Sequence, residues 1–264
     1  MIPKIIHYCW FGNGELTKLA QKCIASWEKY CPEYTIKRWD ENVFDVSSNR
    51  YVKEAYEAGK WAFVTDYVRL YALLREGGIY MDTDVEVVKS LDTFLNHKAF
   101  SGFQKTKEIP TGIMAGEAGF GLFQELLNDY EDRSFILPGK RYNDTNNVTY
   151  ITNTCLLKGL KLNNQYQEIE GFALYPSDYF CAKDYLTGEL KMTDRTCTIH
   201  HFAGSWVSPK IRKWVAFSNS LSQRFGERKT NAVMETFPLK AVRHLYIRGI
   251  RESIKDISMY LNKE

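Results

Sequence analysis

The stretch KWAFVTDYVRLYALLREGGIYMDTDVEV, residues 60–87, constrains the fold more than any other. Phe63, Val64, Tyr67, Tyr71 and Leu74 recur at helical spacing, so residues 60–76 are predicted to form an amphipathic helix. Gly77 and Gly78 supply the stop, since glycine takes the left-handed conformation that ends helices. IYM and VEVV, on either side of two aspartates, are expected to be extended. The same grammar occurs earlier in the chain. IPKIIHYCWFG is predicted as a first strand, ELTKLAQKCIASWEKY as a helix and CPEYTIKRWDE as a second strand. Strand, helix and strand in alternation call for a crossover unit, and hence an α/β fold built on one sheet with flanking helices.

Asp82 and Asp84 stand where the IYM strand ends. In an extended backbone, residues two apart face the same side, so both carboxylates are expected to converge. Close carboxylates repel, and a hard divalent cation relieves that repulsion. The bland alternative is a turn carrying two solvated acids. The carboxyl edge of a sheet is also where α/β proteins bind ligands. Upstream, Asp66 and Arg69 lie at i and i+3 of the predicted helix and interrupt its apolar character. They form either an isolated ion pair or part of the same cleft. A third cluster, TIHHFAGSWVSPK at 198–210, ends a β-type run in two histidines, followed by a Gly-Ser turn and Trp206. Adjacent strand residues face opposite sides, so one histidine can ligate a metal while the other packs or hydrogen-bonds.

Composition narrows the function classes. A formal net charge of +3 gives no footprint for nucleic acid. Aromatics at 14% suit a packed core or a sugar-binding cleft. No apolar run is long enough to span a bilayer, and no signal peptide is visible, so a cytoplasmic location is expected. The six cysteines show neither CxxC pairs nor zinc spacing and are expected to be free thiols. Sequons at Asn143 and Asn147 carry little weight without a secretory signal. The polar segment 139–154 is expected to be a mobile loop. After Pro238, Leu239, Val242, Tyr246, Ile250, Ile254, Ile257 and Leu261 share a face ringed by Lys and Arg, which predicts a basic amphipathic helix over 238–264. That helix would either dock on the domain or contact anionic lipid.

The ordered set IPKIIHYCWFG, TDYVRLYALLREGGIYMDTD and HHFAGSW resembles the DXD-containing sugar transferases of glycosyltransferase family 32. That family includes bacterial capsule and lipopolysaccharide enzymes and fungal mannosyltransferases. It is distantly similar to the clostridial glucosylating toxins. The resemblance implies a GT-A fold with a Rossmann-like mixed sheet: a catalytic domain over 1–237, a nucleotide-sugar half near 1–95 and an acceptor half near 96–207. It implies a nucleotide-sugar donor, here expected to be a UDP-hexose, with manganese or magnesium and retention of anomeric configuration. The acceptor would be a glycan or lipid-linked saccharide in cell-surface polysaccharide synthesis, reached from the inner face of the membrane.

Residue by residue, Trp10 falls where such enzymes stack an aromatic on the donor base. Asp66 and Arg69 match the helix that grips sugar and ribose. Tyr80, Asp82 and Asp84 match the Y-x-D-x-D stretch. His201 is the expected third metal ligand, with His200 as competitor, and Ser205 and Trp206 would approach the diphosphate. No nucleophile stands out, as front-face retaining transfer allows. Glu117 and Asp178 are candidate cleft acids or plain surface carboxylates. The region 100–195 departs most from the family pattern. Two other readings compete: a haloacid-dehalogenase-like phosphatase with Asp82 as nucleophile and Asp84 as general acid, and a carbohydrate-binding protein without catalysis.

Overall fold

The computed structural model describes the chain apart from residues 105–107, 144, 146, 186–187, 205–208, 235, 237–238 and 240–264. In chain order the first elements are β1 (Ile5–Cys9), α1 (Lys18–Tyr30), β2 (Thr35–Trp39), α2 (Arg50–Glu57), α3 (Trp61–Glu76), β3 (Gly78–Met81) and β4 (Val85–Val87). Next come β5 (Ala99–Gly102), β6 (Ile113–Gly116), α4 (Gly121–Asn128), β7 (Ile136–Leu137), β8 (Arg141–Tyr142) and α5 (Asn147–Leu157). The last are β9 (Gln167–Ile169), β10 (Phe172–Tyr175), α6 (Ser177–Phe180), β11 (Thr198–His200), α7 (Pro209–Phe225) and α8 (Glu227–Met234).

Seven strands form one mixed sheet in the order β2-β1-β3-β6-β5-β10-β9. β1 pairs in parallel with β2 and β3, and β10 pairs in parallel with β5. β6 runs antiparallel to both β3 and β5, which leaves β5 and β10 parallel to β3. Five strands therefore end on one edge, and Asp82 follows β3 there. Helices cover the sheet, so the expected α/β architecture holds. The sheet is continuous across position 96, where the two halves were expected to meet.

Alternation along β3 divides the core. Ile79 and Met81 join one apolar cluster with Ile6, Trp27 and Phe100. Tyr80 joins the other, with Val64, Val68 and Leu73 of α3. Gly78 is required where β3 enters beside β1: its φ is +105°, and an added Cβ would meet the Ile5 carbonyl oxygen at 2.7 Å.

Two expectations need correction. The stripe expected on α3 is not its most buried face. Val64, Val68 and Ala72 at i, i+4 and i+8 are fully buried. The neighbouring aromatics Phe63 and Tyr67 are half-buried, packed sideways on Phe135 and Tyr130. The helix is enclosed on nearly all sides, so size did not mark its inner face. The segment 139–154 is not simply a loop either, because α5 begins at Asn147. Asn147, Ile151 and Cys155, at i+4 spacing, turn inward and stabilise a helix whose polar, β-branched sequence has little intrinsic preference for one.

The chain divides into two compact units, residues 1–183 with 191–202, and residues 184–190 with 203–264. In the second unit, α7 and α8 are joined through Gly226 at a φ of 84°. The basic helix expected over 238–264 lies outside the described residues except at Leu239. Among the described residues, no helix is long and apolar enough to cross a membrane. All six cysteines are buried and unpaired.

Candidate functional site

The two aspartates converge through a turn rather than through strand alternation. The Val85 N–H donates to the Asp82 carbonyl at 2.9 Å, closing a β-turn over 82–85 between β3 and β4. The Asp82 N–H donates to the Gly112 carbonyl at 2.8 Å, which anchors the turn to the segment before β6. One ligand-capable atom each from Asp82, Asp84 and His200 lies within 4.8 Å of the others.

Register explains which histidine joins them. β11 runs antiparallel to β4, with His200 opposite Val85 and Ile199 opposite Glu86. The His200 Nε2 sits 3.2 Å from Asp84 Oδ1. His201, expected beside the acids, takes the opposite face, with its Nε2 2.8 Å from Glu86 Oε2. Lys22 reaches the same oxygen at 2.8 Å. Gly112 makes room for the cluster. A Cβ there would lie 2.7 Å from the His200 ring and 3.3 Å from Asp82 Oδ2.

Behind the acids lies a buried network centred on Arg69. Its guanidinium is 3.2 Å from Asp66 Oδ1 and 3.4 Å from Asp82 Oδ1. It also donates to the Thr111 carbonyl at 2.6 Å and to the Thr65 carbonyl at 3.1 Å. It lies over the Tyr80 ring, 4.7 Å from the centroid, and the Tyr80 hydroxyl donates to Asp82 Oδ1 at 2.8 Å. On the far side, Asn147 at the start of α5 donates its backbone N–H to Asp66 Oδ2 at 3.3 Å and its amide to the Asp66 carbonyl at 2.5 Å. Asp82 is thus held through Oδ1, while Oδ2 faces Gly112 and the His200 side of the cluster.

The electrostatics follow from burial. Desolvation pushes Asp66 up to about 6, against the pull of Arg69 and of the Asn147 N–H. Burial also works against the Arg69 charge, but Asp82, Tyr80 and Asp66 more than compensate and hold the guanidinium protonated. Burial likewise opposes a charged His200. Asp84, through its charge and its hydrogen bond, and to a smaller extent Cys181 together outweigh it, and the imidazolium is favoured well above its ordinary range. Two carboxylates beside a histidine that attracts positive charge form an oxygen–oxygen–nitrogen donor set, suited to a divalent cation in place of the proton.

Trp10 sits just past β1, half-buried, with its indole N–H donating to the Gly14 carbonyl at 2.7 Å. Ser205 and Trp206 lie outside the described residues. Glu117 follows β6, whose last residue, Gly116, pairs with Gly78 at the start of β3. It is therefore on the opposite edge from Asp82, and its carboxylate meets the amino terminus of Met1. Asp178 is engaged by Arg195 at 2.7 Å. Sequence reasoning missed Thr111, Gly112, Asn147 and Cys181. Of these only Asn147 left a trace, as the first member of its i, i+4 row.

Residues 17–101 match the family model described as a glycosyltransferase sugar-binding region containing a DXD motif. An uncharacterised glycosyltransferase of Acanthamoeba polyphaga mimivirus is 31% identical over 169 residues, covering 60% of this chain and 64% of its own. Inositol phosphoceramide mannosyltransferase 3 of Schizosaccharomyces pombe is 30% identical over 127 residues, covering 45% of this chain and 33% of its own. The chain thus spans less than two thirds of either relative. Among solved structures, a galactosyltransferase, LgtC, overlaps loosely at a TM-score of 0.41 and 14% identity, covering 89% of this chain and 98% of its own. Asp66, Arg69, Tyr80, Asp82 and Asp84 all fall within the stretch, 17–101, that is similar to the DXD sugar-binding region of glycosyltransferases.

Proposed function

We propose that the chain is a metal-dependent glycosyltransferase of the GT-A type that moves a hexose from a nucleotide-sugar to a saccharide acceptor. The observation that carries this reading is the cluster of Asp82, Asp84 and His200 at the carboxyl edge, backed by the buried Arg69 network. These three residues would hold a manganese or magnesium ion. When bound, such an ion neutralises charge developing on a departing diphosphate. The space kept open by Gly112 and the mixed donor set fit that role.

The protein residues do the positioning. Arg69 fixes Asp82 through Oδ1, and Tyr80 donates to the same oxygen, so the free edge of that carboxylate is preset before any ligand arrives. Arg69 and Asp66 orient donor hydroxyls, which supplies part of the barrier reduction as pre-paid orientation. His201, tied to Glu86, supports the turn. In this reading Trp10 stacks on the base, and Ser205 and Trp206 approach the diphosphate. Residues near 1–95 bind the donor and residues near 96–207 the acceptor. The donor is a UDP-hexose, and the reaction retains configuration without a protein nucleophile. The name of the Schizosaccharomyces pombe relative adds mannose as a candidate sugar and an inositol-phosphate lipid as a candidate acceptor. A lipid-linked acceptor in cell-surface polysaccharide synthesis places the enzyme at the inner face of a membrane, with the basic 238–264 segment toward lipid.

Thermal unfolding with a panel of UDP- and GDP-sugars, with and without manganese, tests the proposal, together with manganese-dependent hydrolysis of the stabilising donor. The expected result is one nucleotide-sugar that raises the melting temperature only with metal and is slowly hydrolysed. No stabilisation by any donor, or an acid-stable phosphoryl adduct at Asp82, overturns it.

A further inference from the structure

A cavity opens on the carboxyl edge of the sheet, the edge at which Asp82 also stands. It has a volume of about 500 Å3 and is lined by Tyr166, Tyr175, Tyr179, Asp178, Arg195 and Asn164. It sits at the carboxyl end of β10, which is parallel to β3 and three places away in the strand order. At about 4.8 Å per strand, that separation is roughly 14 Å along the edge.

The lining has two chemical sides. Tyr175 packs against Tyr166 with centroids 5.1 Å apart and against Tyr179 at 4.9 Å. Tyr166 is 51% exposed. Facing the rings is a charged pair. The Asp178 Oδ2 takes the Arg195 Nε at 3.0 Å, the Arg195 terminal nitrogen at 2.7 Å and the Thr193 hydroxyl at 2.9 Å. These contacts of the carboxylate fall on Oδ2, both residues line the cavity, and the guanidinium lies over the Tyr179 ring at 5.3 Å, so the pair brings hydrogen-bonding groups beside the rings. Apolar rings beside paired donors and acceptors match a pyranose, whose C–H face is apolar and whose rim carries hydroxyls.

The cavity is mechanically tied to the acid cluster. α6 supplies Asp178 and Tyr179 to its lining and is bonded to β11, the strand that carries His200, and to the two residues before it. The Cys197 N–H donates to the Tyr179 carbonyl at 2.7 Å, the Thr198 hydroxyl to the Phe180 carbonyl at 2.7 Å and the Thr196 hydroxyl to the Asp178 carbonyl at 2.8 Å. Cys181, the residue after α6, contacts His200 itself. We infer that this cavity binds the acceptor saccharide, with sugar rings on Tyr166 and Tyr179 and hydroxyls on Asp178 and Arg195, so that the acceptor chain extends along the carboxyl edge toward the donor. The inference rests on the glycosyltransferase reading for the word acceptor, while saccharide binding at the cavity stands by itself.

The test is saccharide titration of the full chain by saturation-transfer NMR and calorimetry, using lactose, maltose, mannobiose and the methyl glycosides of glucose, galactose and mannose. At least one probe is expected to bind. Tyr166→Ala and Arg195→Gln, both at exposed positions, are each expected to weaken it roughly tenfold at unchanged melting temperature. Equal binding by wild type and both variants overturns the inference, as does binding by none of the probes. Manganese-dependent donor hydrolysis by the wild type is measured alongside. Its failure counts against the glycosyltransferase reading alone, and loss of saccharide binding counts against the cavity alone.

Discussion

Two histidines on this framework, one fully buried and one half-buried, are pushed in opposite directions. His7 of β1 is fully buried and answered by neutral groups. Its Nδ1 accepts from the Trp39 indole at 3.0 Å, and its Nε2 donates to the Gly77 carbonyl at 2.7 Å. Burial pushes its pKa down, so the ring stays neutral and its role is architectural: it holds β1, β2 and the glycine stop of α3 together. His200 is answered by an acid and attracts positive charge. Burial by itself does not mark a functional histidine. The partners decide whether a ring is held neutral, as at His7, or attracts positive charge, as at His200.

The sharpest break in that contrast is made at Arg69, the cation that already serves the acids. Removing one partner of a buried, hydrogen-bonded charge network typically costs about 3–5 kcal/mol. Arg69→Ala is expected to lose that much in urea unfolding, because Asp66 and Asp82 are left without their guanidinium. A loss below about 1 kcal/mol would show that water reaches these acids and that the network is no more closed than a surface pair.

Next in size is Asp84→Ala. Loss of one such electrostatic group costs on the order of a hundredfold in rate, so manganese-dependent donor turnover is expected to fall at least that far. In the same variant the His200 imidazole is expected to titrate at lower pH, since the charge that holds its proton is gone. Wild-type turnover with wild-type metal dependence would remove Asp84 from the site.

The pH dependence of stability in metal-stripped protein separates the two histidines by sign. A neutral, buried His7 leaves the unfolded chain binding the extra proton, so its contribution is present above the ordinary value of 6.5 and is lost as pH falls below it. The contribution of His200 is present below 6.5 and is lost as pH rises through its raised folded value. Unfolding free energies measured from pH 5 to 9 should lose the acid-side slope in His7→Gln and the alkaline-side slope in His200→Gln. A shared slope would mean that both rings sit in equivalent surroundings.

The elements were legible where periodicity and glycine agreed. α3 and β3 lie within a residue of expectation, because the helical period, the Gly77–Gly78 stop and the apolar IYM tripeptide all pointed the same way. α5 was hidden because its inward row contains an asparagine, and the use of Asn147 as a clamp on Asp66 depends on a contact 81 residues away in sequence. The acids were legible as a pair, but the reason they converge was not. The turn depends on the Gly112 carbonyl across the sheet, which no local pattern encodes. Alternation at 200–201 required opposite faces and left the choice between them to register, which is a tertiary fact.

That choice gives the smallest expected effect and the finest test. His201 bonds Glu86, which also holds Lys22, in a cluster whose side chains are partly exposed. Exposed pairs of this kind are worth about 0–1 kcal/mol, so His201→Ala should weaken manganese binding by no more than roughly a few-fold. Losing even an outer partner of a metal ligand typically costs about ten- to hundredfold, and losing a ligand should cost at least as much, so His200→Ala is expected to exceed that range. Calorimetric manganese titration of the two variants under one buffer reads the difference directly. If His201→Ala proves the more damaging, the strand has slipped by one residue relative to β4 in solution, because a one-residue shift is what exchanges the two faces.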